Sequence, residues 1–561
     1  MRRVLATCLV SLWCSPLAQG AERFDVVIAG GSTAAFAAAL ASAESGARTA
    51  LLEPTDWVGG QLTASGVPAV DEAWHKVTDP GGEVLNVSAI ARDRANMPPS
   101  FRAMLDATGN PGRGWVSNYC FLPRDFLDRQ LLPRERSLAD RLVVYRETVI
   151  KRVDAEPATG RIRSLTAIRR TPKPGVSFQG YDRLPSQDLP DWYSPEPSDR
   201  FAKEILTFEA SVFVEATEWG ELLALADASY LQGVEIPDGA LDGNDRCGQA
   251  IVYSFVQRLH AEPVEEPQRA EPLDNLGFGP YRGRADAWEK IWTYRRLKGL
   301  GPGPTPGDLS LQNWGYAESS QQGGNDYPFG YLFLSKADTA AQRADWRGGI
   351  DLAVLAAAEQ RAFAWHDWFR DHPQGEIQPG QVTLEIGALG TGHGLAKLPY
   401  IRDTRRSIGL DDFLLTYEDI SGPASRKTGK RFADRVAIGA YPADIHPMVG
   451  CRYPSQGGRQ TLPFFIPFRA LTNKTYGNLL TAGKTMAQSF LANSATRLHP
   501  IEWSTGTAAG VAAAHMASHG RTSRQVLDAI DEAQARIREK TPIAWTIDGA
   551  TYPAPGEETP R

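Results

Sequence analysis

Residues 24–66 read FDVVIAGGSTAAFAAALASAESGARTALLEPTDWVGGQLTASG, and the order of residue types in this stretch decides the fold. Asp25 to Ala29 is a short apolar strand, Gly30 and Gly31 make a turn, an alanine-rich helix follows, and a second strand closes on Glu53. That is the α/β unit, set in a mostly parallel sheet, that holds the ADP half of a dinucleotide. Gly30 lets the chain leave the strand sharply, and the free N–H groups and positive end of the helix face a pyrophosphate. Glu53, at the tip of the second strand, is placed to accept from both ribose hydroxyls. The usual G-x-G-x-x-G pattern here reads Gly30-Gly31-Ser32-Thr33-Ala34-Ala35. Ala35 suits the third position, which needs only close packing of helix on strand. Ser32 fills the second, where backbone approaches phosphate; its Cβ narrows the room and its hydroxyl offers the phosphate a donor.

The chain has 561 residues, more than one core usually supports, so two closely joined domains are expected. A formal charge of -6 with no basic block argues against nucleic acid and anionic membranes as partners. Fourteen tryptophans beside 53 glycines and 39 prolines point to ordered loops rather than disorder. Arg2 and Arg3, the apolar run Val4 to Trp13, Pro16 and the small-residue site Ala18-Gln19-Gly20 have the anatomy of a signal peptide cleaved near Gly20, hence of a secreted or periplasmic protein. The apolar run is too short to span a bilayer. The paired arginines leave open twin-arginine export, which suits a chain that folds around a cofactor first. Cleavage would leave Cys120, Cys247 and Cys451, enough for at most one disulfide; each reads first as a buried apolar side chain, and no metal-ligand spacing occurs.

Past Glu53 come Trp57-Val58-Gly59-Gly60-Gln61, and here the chain resembles the flavin-dependent oxidoreductases of glutathione-reductase-type fold, in particular their single-cofactor branch, the FAD-dependent oxidoreductases. The resemblance implies FAD as cofactor, with Gly59, Gly60 and Gln61 beside its diphosphate and flavin. The run Val143 to Val149 followed by Gly160-Arg161-Ile162 looks like the family's β-hairpin, whose backbone at Val149 would touch the adenine. The apolar strand from Ala210 into Ala216-Thr217 looks like its third nucleotide signature, although Glu218 stands where many relatives have glycine. Asn478 to Gly483 and then Trp503 to Gly510 resemble the closing signature. There a helix starting at Gly506, Thr507 and Ala508 would aim its N–H groups at the pyrimidine end of the flavin, which gathers charge on reduction.

The expected organisation is a leader (1–20), a Rossmann-like FAD-binding domain in two parts (21–235 and 470–561, the second with an amphipathic helix from Thr522 to Lys540), and an inserted α+β substrate domain (236–469). Arg170 to Arg200 reads either as an excursion over the site mouth or as a packed surface loop. Asn325-Asp326-Tyr327 and the helical run Leu352 to Phe369, with Trp365 and Trp368, read first as packing. Leu398 to Arg406 resembles a family hallmark. Of its three arginines, Arg402, Arg405 and Arg406, one is expected to be functional, one paired and one solvated, with Arg402 and Arg405 the catalytic candidates. As a strand, Ile438 to Pro447 would place Asp444 and His446 on one face, where the carboxylate raises imidazole basicity and makes His446 a general base; the competing reading is a surface turn between prolines. His393 is a second such histidine. Ser489 and Arg497 are placed to reach the substrate side, or Arg497 to make a surface ion pair.

No second glycine-turn βαβ unit is present for a nicotinamide cofactor. The expected function is therefore an exported FAD-dependent oxidoreductase that moves hydride between a small organic or carbohydrate-type substrate and the flavin, with oxygen or another acceptor completing the cycle. The competing expectation is a redox-inactive exported ligand-binding protein on a degenerate FAD fold.

Overall fold

The computed structural model describes residues 20–71, 77–78, 84–85, 94–235, 245–318, 321–423, 425–455 and 457–553. Apart from Gly20, the expected leader lies outside them. The first strand, β1 (Glu22–Ala29), is buried on both faces from Val26 onward, as a central parallel strand must be. It is followed by α1 (Thr33–Glu44), β2 (Thr49–Leu52), β3 (Leu142–Tyr145), the antiparallel hairpin β4 (Thr148–Glu156) and β5 (Arg161–Pro172), and the fifteen-residue β6 (Phe201–Glu215). The strand order is β3-β2-β1-β6-β5-β4. β1, β2, β3 and the second half of β6 run parallel, in register from Glu22↔Phe208 to Ala29↔Glu215. The first half of β6 pairs antiparallel with β5, from Ser164↔Glu209 to Pro172↔Phe201. The run Val143 to Val149, read as one hairpin strand, is two: Glu147 takes a positive φ of 58° and separates the parallel strand β3 from the hairpin strand that carries Val149.

After β6 the chain builds a second layer. Strands β7 (Phe255–Leu259), β8 (Arg296–Lys298), β9 (Leu309–Gln312) and β10 (Val382–Leu384) form an antiparallel sheet in the order β8-β9-β7-β10. The long helix α2 (Leu352–Asp371) contributes to the same core, where Trp365 stacks on Trp368 at 5.3 Å and Phe369 on Trp288 at 4.9 Å. This core is continuous with one face of the hairpin layer through Val149, Ile168, Trp192, Tyr193 and Trp219. Arg170 to Arg200 is therefore packed: it contains the helix Pro185–Trp192, and the Arg170 guanidinium lies 3.6 Å from the Trp192 ring centre. The ribbon β11 (Arg435–Gly439) and β12 (Phe464–Pro467), within the stretch read as insertion, shares its hydrophobic cluster with α1 and so packs with the first layer. The chain then returns to the main sheet as β13 (Leu479–Thr481), parallel to β6.

The last long helix, α3 (His499–His519), packs on α1. A Cβ on Gly506 would lie 2.2 Å from the carbonyl oxygen of Ala34, and one on Gly510 2.2 Å from that of Ala38. Two rows of small residues thus bring the helix backbones into contact. This corrects one expectation: α3 begins at His499, so Gly506, Thr507 and Ala508 lie in its second and third turns, and Gly506 serves helix packing rather than the helix start. The expected terminal helix is two, Ser523–Asp528 and Ile530–Arg538, the first closed by a capping box of Thr522 and Gln525. Cys247 and Cys451 are joined in a disulfide, correcting their reading as buried thiols; Cys120 is free and buried.

Helix propensity alone would have Gly506→Ala stabilise the protein by roughly 1 kcal/mol. Overpacking against Ala34 reverses the sign, and a loss of about 1–3 kcal/mol is expected in thermal or denaturant unfolding, with Gly510→Ala behaving alike.

Candidate functional site

The C-terminal ends of β1, β2, β6 and β13 meet in one crevice. Gly30 N–H donates to the Leu52 carbonyl at 2.9 Å, Ala216 N–H to that of Ala29 at 3.0 Å, and Ala482 N–H to that of Glu215 at 3.0 Å. A Cβ on Gly30 would come within 2.6 Å of the Leu52 carbonyl oxygen, so the glycine is required by the neighbouring strand. Ser32 is the N-cap of α1: its hydroxyl accepts from Ala35 N–H at 3.0 Å and donates to the Ala216 carbonyl at 2.6 Å. Its hydrogen is therefore committed within the protein, which corrects the expectation of a phosphate donor. The N–H groups of Gly31 and Ser32 have no partner among the described residues. Gly59 and Gly60 both take positive φ (107° and 56°), and a Cβ on Gly60 would lie 2.5 Å from Thr33 N. The Thr33 hydroxyl closes the contact by donating to the Gly59 carbonyl at 2.7 Å. Gly483, φ 64°, leaves no room for a Cβ beside Ala34.

Glu53 is buried at the end of β2, where its Oε1 accepts from the N–H and hydroxyl of Thr55 at 3.1 and 3.0 Å. No ion pair reaches it among the described residues, and burial pushes its carboxyl up to about 8 against the weaker pull of the Thr55 bonds. Thr148 N–H bonds the Glu53 carbonyl at 2.9 Å and sets Val149 beside it. Gly30, Gly31, Pro54, Val149, Thr217 and Leu398 line one narrow cleft. Further in, Gln61 Oε1, Ser65 Oγ and His499 Nδ1 are buried without a hydrogen-bond partner. Gln61 Nε2 donates to the Arg497 carbonyl at 3.1 Å. His499 Nε2 lies 2.8 Å from the Val67 carbonyl, and burial drops its pKa to about 3, so the ring is neutral and Nδ1 is a bare acceptor. Sequence reasoning did not single out His499. These groups fit a dinucleotide that brings ribose hydroxyls to Glu53 and a polar ring edge to Gln61, Ser65 and His499.

A parallel sheet with an antiparallel meander, and a glycine turn at its crevice, defines the class of Rossmann-like FAD-binding proteins. The chain belongs to the FAD-dependent oxidoreductase family, whose model matches residues 25–166 and 200–537, and its cofactor is FAD. Similar solved structures include a geranylgeranyl bacteriochlorophyll reductase-like protein of Thermoplasma acidophilum, at 11% identity and a TM-score of 0.32 over 93% of this chain and 83% of that one. Another is the p-nitrophenol 4-monooxygenase of Pseudomonas putida, at 10% identity and a TM-score of 0.31 over 93% and 87%. A third is a myxobacterial chondrochloren halogenase, at 12% identity and a TM-score of 0.32 over 92% and 79%. No curated protein gives a significant match.

Beyond Gln61 lies a second, polar cavity. Its wall includes Tyr400, Arg402, Asp444, His446 and Arg497. β11 ends at Gly439, so residues 440–447 are not the expected strand, yet Asp444 and His446 do meet: His446 Nε2 is 3.3 Å from Asp444 Oδ2. His446 Nδ1 is 2.5 Å from Asp326 Oδ2, and Asp326 also accepts from Arg402 at 2.9 Å. Asp326, read as packing, is thus part of the cluster. Arg497 is buried, donating to Asp444 Oδ2 at 2.9 Å and to the Tyr400 hydroxyl at 2.7 Å, so it is not a surface ion pair. Burial and the nearby Arg402 would depress the pKa of His446, but Asp326 and Asp444 outweigh them and the net shift is upward. Both carboxyls are held far below their usual range by His446 with Arg402 or Arg497, against the opposing effect of burial.

The remaining candidates separate by location. Arg405 is buried away from the cavity, donating to the carbonyls of Trp219 and Gly349 at 2.7 Å each; it joins the layers rather than serving catalysis, correcting its assignment. Arg406 pairs with Glu235 at 2.8 Å, so none of the three arginines is solvated. Ser489 caps the helix Phe490–Thr496. His393 is buried with its pKa pushed down to about 3 and does not line the cavity. Glu218, the departure from the family pattern, has a partner: buried Lys484 lies 2.9 Å from it and 2.6 Å from Glu502, beneath the Tyr400 ring. Burial holds Glu218 up at about 7 against the attraction of Lys484.

The fold suppresses ionisation of Glu53, so the apoprotein loses stability as pH rises from about 4.5 through about 8. Glu53→Gln should therefore raise the apoprotein melting temperature at pH 8, change it little at pH 4, and weaken FAD retention in dialysis. Ser32→Ala should cost about 1–2 kcal/mol in unfolding, through the lost cap and the unpaired Ala216 carbonyl.

Proposed function

We propose that this protein is an exported flavoenzyme that oxidises a small hydroxyl-bearing molecule in the His446 cavity. The observation that carries the reading is a partly exposed imidazole, 24% of its side chain accessible, clamped between two carboxylates. It stands in a wall shared with Arg497, whose carbonyl is bonded by Gln61 of the cofactor turn. When bound, the flavin supplies a two-electron acceptor. His446 in its neutral form accepts the substrate hydroxyl proton at Nε2, while Asp326 keeps Nδ1–H in place and steadies the imidazolium that results. Arg497, itself donating to the Tyr400 hydroxyl, fixes the orientation of Asp444. Oxygen or another acceptor then completes the cycle.

Export is supported by the basic, apolar and small-residue sequence of residues 1–20 and by the disulfide, which persists in oxidising compartments. Among the described residues no helix is long and apolar enough to cross a membrane.

The purified protein should show flavin absorbance that an alcohol substrate bleaches under anaerobic conditions; a colourless protein that takes up no FAD would make it a binding protein instead. His446→Ala should slow flavin reduction by roughly 10²–10⁴-fold while leaving the visible spectrum unchanged. Because only the neutral ring accepts a proton, the reduction rate should rise with pH along a limb lying above the ordinary imidazole range. Asp326→Asn should move that limb to lower pH, since Asp444 then opposes Arg402 and burial alone.

A further inference from the structure

We propose that the His446 cavity takes a neutral polyhydroxylated compound, a sugar or sugar alcohol, and discriminates against anionic and cationic counterparts. The proposal rests on the reading of this cavity as the substrate site.

The argument begins with charge. Three guanidiniums face the cavity and each already has a carboxylate: Arg402 with Asp326 at 2.9 Å, Arg497 with Asp444 at 2.9 Å, and Arg295 with Asp71 at 4.0 Å. Arg295 is further held by donating to the Asn313 carbonyl at 2.5 Å. The remaining charge is the proton on His446, and it is absent when the ring is ready to accept one. The reactive site is thus close to neutral, with no cation left to receive a substrate carboxylate or phosphate. An anionic ligand would have to pull apart a buried pair and leave its partner uncompensated.

Hydrogen-bonding capacity points the same way. The carboxylate of Asp71 and the hydroxyls of Tyr294 and Tyr441 make no hydrogen bond among the described residues, and Asp444 Oδ1 is likewise unused. Asp444 Oδ1 is a pure acceptor; Asp71, whose pKa burial raises against the pull of Arg295, accepts when ionised; and the other two are phenols that both accept and donate. A ligand that satisfies them must bring several O–H donors at once. A carboxylate or phosphate brings acceptors and would face Asp71 and Asp444 directly. An ammonium group could donate to Asp71 or Asp444 but would add an uncompensated charge to a cavity whose guanidiniums and carboxylates already match. Trp314, its ring 5.3 Å from that of Tyr294, supplies an aromatic wall on which the C–H face of a sugar ring packs.

The test uses the FAD-loaded enzyme with glucose, galactose and mannitol set against glucuronate, glucose 6-phosphate and glucosamine. Each compound is followed by calorimetric titration and by anaerobic flavin bleaching. At least one neutral compound should bind and bleach at a concentration tenfold or more below its charged counterparts. Asp71→Asn should raise half-saturation for the neutral compound about tenfold, change the limiting bleaching rate much less, and narrow the margin against glucuronate. Equal or tighter binding of the charged compounds overturns the substrate class while leaving oxidation intact. Neutral compounds that bind without bleaching support the class and overturn the oxidation reading. Absence of binding by any neutral compound overturns the proposal.

Discussion

The backbone contact between α1 and α3 is the constraint on which the rest of the structure depends. The two helices come from opposite ends of the chain, and only Gly506 and Gly510 on one side, with Ala34 and Ala38 on the other, allow them so close. That approach sets α1 over the parallel strands, which places the glycine turn, Glu53, Ala216 and Gly483 in one crevice. It also brings the first turn of α3 to Val67 and puts Lys484 between Glu218 and Glu502. A cofactor domain made from two distant pieces of sequence is thus assembled through a seam of small residues, where shape decides more than hydrophobicity.

Electrostatics divides the molecule differently. Around Glu53 a carboxyl is buried with few partners and pays for its desolvation in a raised pKa, a state that ligand hydroxyls relieve. Around His446 every charge is matched, and Asp326 and Asp444 stay ionised even though buried or half-buried. Buried ion pairs contribute little net stability, but removing one partner is expensive, which keeps such clusters in one arrangement. The first region is built to be completed by a ligand, the second to hold its geometry before one arrives.

Much of the cofactor crevice was legible because its requirements are local: a strand, a turn needing glycine, a cap, and an acid at a fixed distance along the next strand. The helix packing was misread because alanine and glycine runs look alike whether they face a ligand or another helix, and α3 begins two turns before the run that drew attention. The His446 cluster was half legible. Asp444 lies two residues away, but Asp326 lies far upstream in a segment with no chemical signature of its own, and only the pairing of Val252 with Asp326 brings it near. The three arginines of the 402–406 run could not be sorted by sequence, since each finds its acceptor in a different part of the chain: Asp326, the carbonyl of Trp219, and Glu235. The pairing of Cys247 with Cys451 depends on the same long-range closure.

The long strand β6 joins two parts of one sheet that differ in sense. Its first half is held by the antiparallel bonds of β5, and its second half by the parallel bonds of β1 and β13. Side chains alternate faces along a strand, so a single residue inserted or deleted within Phe201–Glu215 would reverse one half relative to the other. The register of the β4–β5 hairpin and the position of Ala216 at the crevice are therefore measured on one ruler. A change of length that reshapes the cavity without disturbing the nucleotide end has to enter elsewhere, in the connection before Phe201 or in the turn after Glu215.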